Sequence, residues 1–487
     1  MKKQFVSNIV LLFIINLLVK PFYVFYVETD AQNILGTQTF GTYFYHLNFV
    51  FLFQFMGDFG LQTWNHQHIS KNREKVSVIL PTVMAAKIVL SFIWMVCVLS
   101  LSWYFPVLES DILVPVTINV MLGTLFILIR SFISGMGFFT TDSWLSALDK
   151  LMMIVVLSWF MHFRASNDVF TLDDFIYGQM FSLVVANLIA MILLVNYIPN
   201  LKEFRFLNYF RWQLIKETLH KCAPYAVILF LMMSYNKLDG FLLGYLKNDN
   251  GMQAGIYAAS YRIYDAANMF LYLVPALVLP MFSNMIGTGQ AIKGFADMVV
   301  RWLIVITGPV CVISVYFAED IIRLLYMEHI DEKIISFQIL MVSFIMVSFG
   351  YLFGVLSLAG EKVNKLIPVF FSGLVINFFL NIFLIPEFGA KGAAIATAAT
   401  QFWVLTGQWM MVKKYIFFSF NVFDVGKGIL YIILIFGFLV LLSYIIPESR
   451  SFVFVSCAFF SVTLAFLLKL IDWKDIQTIF QKQINKT

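Results

Sequence analysis

The sequence predicts an all-α integral membrane protein, and three observations carry that reading. The chain is 61% hydrophobic and only 13% charged, with a mean hydropathy of +0.85. A soluble chain of 487 residues needs far more charge to cover its surface. Apolar runs of about 20 residues recur along its length, the span an α-helix needs to cross the hydrocarbon core. A transmembrane barrel would show short alternating segments of about 10 residues instead. Cys97, Cys222, Cys311 and Cys457 are scattered and form no C-x-x-C pair, so neither a metal site nor a disulfide framework is indicated.

Fourteen spans are expected. The first, 6–27, follows the basic Lys2 and Lys3 and lacks a small-residue cleavage site, so it reads as an uncleaved helix. The others lie near 39–63, 79–104, 112–138, 144–162, 174–198, 222–246, 254–282, 298–318, 335–358, 366–386, 392–412, 427–446 and 452–470. An even number puts both termini on one side. If that side is cytoplasmic, 21 basic residues fall in inner segments and 6 in outer ones, a bias that the positive-inside rule requires. The net charge of +5 then reflects inner loops near anionic lipid; no basic patch interleaved with aromatics suggests nucleic acid. The loop 199–222, rich in basic and aromatic residues, fits a helix along the inner leaflet or a solvated linker.

A short motif repeats. Gly41-Thr42-Tyr43 opens the second span, and Gly255-Ile256-Tyr257 opens the eighth. Each is the second span of a six-span half, which suggests a parallel repeat about an axis along the membrane normal. Glycine there also lets helices approach closely. The expected organisation is an N-terminal lobe at 1–198, a cytoplasmic linker at 199–221, a C-terminal lobe at 222–412, and two further helices with a tail at 413–487.

Ten ionisable residues besides histidine fall within spans: Lys20, Lys87, Arg130, Lys150, Lys237, Arg262, Asp58, Asp149, Asp239 and Asp265. At about 2.5–3.5 kcal/mol each, isolated helices would carry an insertion penalty of roughly 25–35 kcal/mol. These side chains are therefore expected to face one another or a wet cavity between lobes, with positive charge in excess. Spans nine to fourteen hold none in their interiors. Lys20, Lys237, Asp239, Arg262 and Asp265 lie in the outer half, the other five nearer the cytoplasm. Arg262 and Asp265, three apart, can pair on one helix face. Lys237 and Asp239 point in different directions, so at least one needs a partner elsewhere. Simple packing roles stand beside the functional ones: Lys87 and Asp58 lie close enough to span ends to snorkel, and Asp149 and Lys150 to start a helix. Asn377 and Asn381 share a face and are expected to bond between helices. His46 is read as a packing histidine, with proton coupling as the alternative.

Three stretches together resemble a known group. FGTYFYHLNFVFLFQFMGDFGLQTW (40–64) is similar to the second helix of bacterial polysaccharide transporters, which include O-antigen flippases. YNKLDGFLLGYL (235–246) with AGIYAASYRIYDAANM (254–269) resembles their seventh and eighth helices, and LIPEFGAKGAAIATAATQ (384–401) resembles the approach to their twelfth. They belong to the multidrug/oligosaccharidyl-lipid/polysaccharide (MOP) exporter superfamily. The resemblance implies a MATE-like pair of six-helix lobes plus two C-terminal helices, in a bacterial cytoplasmic (inner) membrane.

It also implies a flippase that moves an undecaprenyl-pyrophosphate-linked oligosaccharide to the periplasmic leaflet by alternating access. Membrane lipids and polysaccharide polymerase machinery are the implied partners. Pyrophosphate cannot cross a low-dielectric layer undressed, and lysine and arginine supply the counter-charge. The substrate-binding candidates are Lys20, Lys237, Arg262, Lys87, Arg130 and Lys150. No G-x-x-x-x-G-K-[ST] run occurs, so ATP hydrolysis by this chain is not expected, and the resemblance implies a cation gradient as the energy source. No cofactor is expected beyond a coupling ion, Na+ or H+, with Asp239 and Asp265 as the first candidates to bind it and Asp58 and Asp149 behind them. A lipid II flippase or a multidrug exporter of the same superfamily is the alternative. A membrane glycosyltransferase, using Glu28 and Asp30 in the first outer loop, is the least favoured, because the outer loops are too short for an acceptor domain.

Overall fold

The computed structural model describes residues 18–71, 76–163, 169–198, 212–271, 273–416, 418 and 421–471. Among the described residues the chain is helical, with no strand. Nine stretches of the described residues are long and apolar enough to cross a membrane, which makes this a multi-pass membrane protein. One of the nine, Val363–Tyr415, holds two of the expected spans, so the number fourteen stays an expectation. Residues 199–211 of the linker and 472–487 of the tail lie outside the described residues.

The chain divides into two compact units. Unit one comprises Met1–Arg262, Tyr326–His329 and Leu374–Ala393; unit two comprises Ile263–Leu325, Ile330–Gly373 and Ala394–Thr487.

In unit one a π-helical segment, Tyr23–Glu28, leads into α1 (Thr29–Leu35). Glu28 and Asp30 are thus helical, and the outer loop expected at ETDAQ does not form there. Gly36, at φ 80°, takes the turn into α2 (Thr37–Leu52). The second expected span is not continuous: α2 gives way to α3 (Gln54–Asp58), and left-handed Phe59 and Gly60 break the chain before α4 (Leu61–Lys71). Then come α5 (Val76–Ser102), α6 (Ser110–Gly135), α7 (Phe139–His162) and α8 (Leu172–Tyr197). A Thr171–Asp174 capping box starts α8 by satisfying end N–H groups in both directions. The last helix wholly in this unit, α9 (Trp212–Lys247), begins ten residues before the expected span, so 212–221 is helix.

The tightest helix contacts are glycine contacts. Gly240 and Gly244, one turn apart on α9, bring it onto Asn48, Phe44 and Tyr45 of α2 so closely that a Cβ at either glycine would overlap them. Gly41 of α2 lies against the backbone of Gly251 and Gly255 in the same way, where α10 (Met252–Leu271) begins. The two glycines of the repeated motif therefore meet each other. The 326–329 loop is tied down by Thr37 N–H donating to Glu328 Oε2 (2.9 Å) and by Tyr326 donating to Ala259 O (3.3 Å). Burial pushes the Tyr326 phenol well above its usual range, so it stays a donor.

Unit two holds α11 (Leu273–Gly287), α12 (Lys293–Tyr316), α13 (Ala318–Leu325), α14 (Ile330–Ala359), most of α15 (Ile367–Tyr415), α16 (Val422–Ile445) and α17 (Arg450–Leu467). Here α12 packs on α14 and α16, and Tyr431 of α16 donates to Ser461 O of α17 (3.1 Å). Asn421 caps α16 at Phe423 N–H (3.1 Å). Helix α15 is two helices that meet at Gly389, whose φ of 56° and ψ of −131° suit glycine alone. Beside that break, in unit one, Ala390 N–H donates to Gln253 Oε1 (2.7 Å) and Lys247 to Pro386 O (2.9 Å).

Candidate functional site

All six membrane-embedded basic candidates, together with Asp58, Asp149 and Asp239, lie in unit one; Asp265 lies in unit two. Asp239 on α9 is 1% exposed, yet it is dressed by three donors. Tyr257 reaches Oδ2 at 3.2 Å, while Asn377 and Asn381 reach Oδ1 at 2.9 and 2.6 Å. The asparagines come from the part of α15 that belongs to unit one, where i, i+4 spacing stacks them on one face. Such charge-assisted bonds let a carboxylate sit in an apolar interior. Asn381 Oδ1 is buried without a hydrogen-bond partner. Both amides turn N–H groups, not oxygens, to the carboxylate; rotated about their last bond they would present hard oxygen ligands, which suit a small cation.

Two residues earlier on α9, Lys237 turns away from this cluster, as a step of about 200° requires. Its ammonium lies 5.3 Å from the Phe51 ring centre and 5.0 Å from that of Tyr261, so two π faces flank it. Arg262 sits 5.8 Å from the Phe44 ring centre and 3.3 Å, Nε to Oε2, from Glu28. That pair is in Coulombic contact without hydrogen-bond alignment, since neither atom has a hydrogen-bond partner. The expected neighbour of Arg262 was Asp265; the ion pair found is with Glu28, brought near by the π-helical segment. A π-helical turn re-aims side chains and is often found at functional sites.

The remaining candidates of unit one separate into two groups. Lys87 does not snorkel: it is 2% exposed and donates to Gly57 O (2.8 Å) and Thr124 Oγ1 (2.9 Å), with Asp58 nearby in charge contact. Both bonds are to protein, which is the pattern of a residue that holds α3, α5 and α6 together. The second group gathers around Lys20, which was expected with the outer five but lies within electrostatic range of Arg130, Asp142, Asp149 and Lys150 instead. Arg130 donates through Nε to Asp142 Oδ1 (2.8 Å), and Lys150 lies 4.4 Å from the Tyr23 ring centre.

Glu28 and Asp142 were not among the in-span candidates, because one was assigned to an outer loop and the other to the short loop between the fourth and fifth spans. Together they match the number of acidic groups in this set to the six basic ones, so the expected excess of positive charge is not found in the set. Tyr257, Tyr261 and Phe51 were missed too. In a chain that is 17% aromatic, nothing local marks the rings that flank an ammonium. His46 is fully buried; Nδ1 bonds Thr42 O (2.7 Å) and Nε2 accepts from Glu109 N–H (2.8 Å), a pattern that holds the ring neutral.

The family described as "Polysaccharide biosynthesis protein" matches residues 5–286, which take in every candidate discussed so far except the two asparagines. The chain belongs to the polysaccharide biosynthesis protein family. An uncharacterized membrane protein of Methanocaldococcus jannaschii, MJ1068, is 27% identical over 174 residues, 34% of this chain and 33% of that protein; the match spans about a third of that relative's length. Among solved structures, lipid II flippase MurJ in an inward closed conformation aligns with a TM-score of 0.73 at 13% identity, covering 96% of this chain and 99% of that one. A multidrug resistance MATE family transporter of the MOP superfamily, inward-facing, aligns at 0.61 and 12% identity, covering 81% and 94%. A MOP superfamily transporter from Pyrococcus furiosus Vc1 aligns at 0.59 and 12%, covering 84% and 95%. At such identities the likeness is one of fold. This polysaccharide biosynthesis family protein has the all-helical fold of MOP superfamily transporters.

Proposed function

We propose that this protein is a flippase that moves an undecaprenyl-pyrophosphate-linked oligosaccharide from the cytoplasmic to the periplasmic leaflet by alternating access, driven by a cation gradient. The observation that carries the reading is Lys237, an ammonium held between two aromatic rings on a helix where the sequence places a span, in a polysaccharide biosynthesis family protein. A pyrophosphate must shed water to enter such surroundings, and a fixed cation a few ångströms away offsets that loss. Arg262 adds a planar donor set that suits phosphate, once its unaligned pairing with Glu28 gives way. Asp239 with Asn377 and Asn381 is the coupling-ion site in this reading.

The membrane is the bacterial inner membrane with both termini cytoplasmic, as the bias of basic residues favours. The likeness in fold to lipid II flippase MurJ makes lipid II the second cargo to test. The deciding experiment reconstitutes the protein in liposomes with polyprenyl-pyrophosphate glycans, with lipid II, and with the same glycan on a neutral lipid. Translocation is followed with and without a Na+ or H+ gradient. Gradient-dependent movement of a pyrophosphate-linked cargo is expected; movement indifferent to both gradient and pyrophosphate sinks the proposal.

A further inference from the structure

Unit one contains a second polar feature away from Asp239, Lys237 and Arg262: a cavity of about 300 Å³ among α4, α6 and α7. It is lined by Gln62, Thr63, Arg130, Ser131, Ser134 and Asp142, among others. It lies at the end of the unit where α6 turns into α7, which the bias of basic residues assigns to the cytoplasmic face.

The hydrogen-bond directions on its wall define what fits. Ser134 Oγ donates to Arg130 O (3.1 Å) and Ser131 Oγ donates to Leu128 O (2.7 Å), so each hydroxyl has spent its only hydrogen on the backbone. Towards the cavity these oxygens can only accept. Asp142 is likewise an acceptor, engaged through Oδ1 by Arg130 Nε (2.8 Å). Arg130 uses Nε and Nη2 on Asp142 and has further N–H groups to donate. Gln62 offers both kinds of group, as does Thr63. Formal charge cancels between Arg130 and Asp142. A phosphate, which brings acceptor oxygens, would face two serine oxygens and a carboxylate here. A ring bearing several hydroxyls donates to the acceptors and accepts from Arg130. The volume is at the lower end of the roughly 300–1,000 Å³ of small-molecule pockets, room for about one sugar unit.

We propose that this cavity binds one uncharged sugar residue through Asp142, Arg130, Ser134 and Gln62. Its place in transport rests on the flippase reading: it would receive the glycan at the cytoplasmic end, apart from the groups that meet the pyrophosphate.

The test is saturation-transfer NMR on the full-length protein in nanodiscs, with glucose, galactose and N-acetylglucosamine as separate probes and inorganic pyrophosphate as competitor. At least one sugar should receive saturation, and Ser134→Ala and Asp142→Asn should each weaken its binding about tenfold or more. Excess pyrophosphate should leave it in place. Ser134→Ala is small enough to keep the fold should Asp142→Asn fail to. Saturation of none of the three sugars, saturation indifferent to Ser134→Ala, or displacement by pyrophosphate overturns the proposal. The liposome assay separates the two readings. Sugar binding with this side-chain dependence but no glycan translocation leaves the site standing and removes the flippase; translocation without sugar binding does the reverse.

Discussion

Asn381 Nδ2 lies 2.6 Å from Asp239 Oδ1, joining helices 142 residues apart in the chain. With Asn377 and Tyr257 it turns an otherwise unfavourable buried carboxylate into a stable one. Removing a donor leaves Asp239 under-dressed. Asn377→Ala and Asn381→Ala should each destabilise the protein by about 1–3 kcal/mol, read as a lower midpoint of thermal unfolding in detergent. Asp239→Asn should keep the fold and abolish the gradient dependence of transport. Unchanged coupling in that variant would take Asp239 out of the ion path.

Lys237→Met keeps an apolar chain of similar length between Phe51 and Tyr261 and removes the charge. It should reach the membrane at normal levels and translocate pyrophosphate-linked cargo at least tenfold more slowly, a loss of about 1.4 kcal/mol of transition-state stabilisation. The double variant Lys237→Ala/Arg262→Ala should be inactive in the same assay. Wild-type rates in the double variant would dismiss both residues from the substrate path.

Glu28 and Arg262 test each other. Glu28→Gln removes a carboxylate that neighbours the partly buried Arg262 guanidinium, which should lower stability by about 1–3 kcal/mol. Glu28→Gln/Arg262→Gln should regain most of that in thermal unfolding while remaining unable to transport. A single variant as stable as the parent would mean that the 3.3 Å contact contributes little.

The glycine contact between α2 and α10 is expected to tolerate no side chain. A Cβ on Gly41 would collide with Gly251 O, and one on Gly255 with Thr37 O, both backbone atoms that cannot swing aside. Gly41→Ala and Gly255→Ala should each cost more than the 1–3 kcal/mol typical of overpacking and sharply reduce folded protein in size-exclusion profiles. Gly123→Ala, with open space around its Cβ, is the control that should fold normally.

His46 is expected to be silent in coupling. Both ring nitrogens are committed to backbone partners, so proton uptake would break the bond from Glu109 N–H. His46→Asn should lower stability and leave the ion dependence of transport as it was. A shift in the coupled ion would show that the ring titrates.

The sequence by itself determined the class of this protein. Apolar runs of membrane length and sparse charge are one-dimensional properties, and they needed no partner to be read. It also marked Asp239, Asn377, Asn381 and the paired Gly-x-Tyr motifs, because a polar residue in a span or a glycine at its start is conspicuous where it stands. Which groups meet was settled only by the tertiary structure. Glu28 and Asp142 both looked like loop, yet one pairs with Arg262 and the other with Arg130. The breaks at Phe59 and Gly389 were hidden as well, for hydropathy is blind to backbone dihedrals. Charges in a span announce that they need partners; packing of distant helices decides who those partners are, since contact energy depends on separation in space and not along the chain.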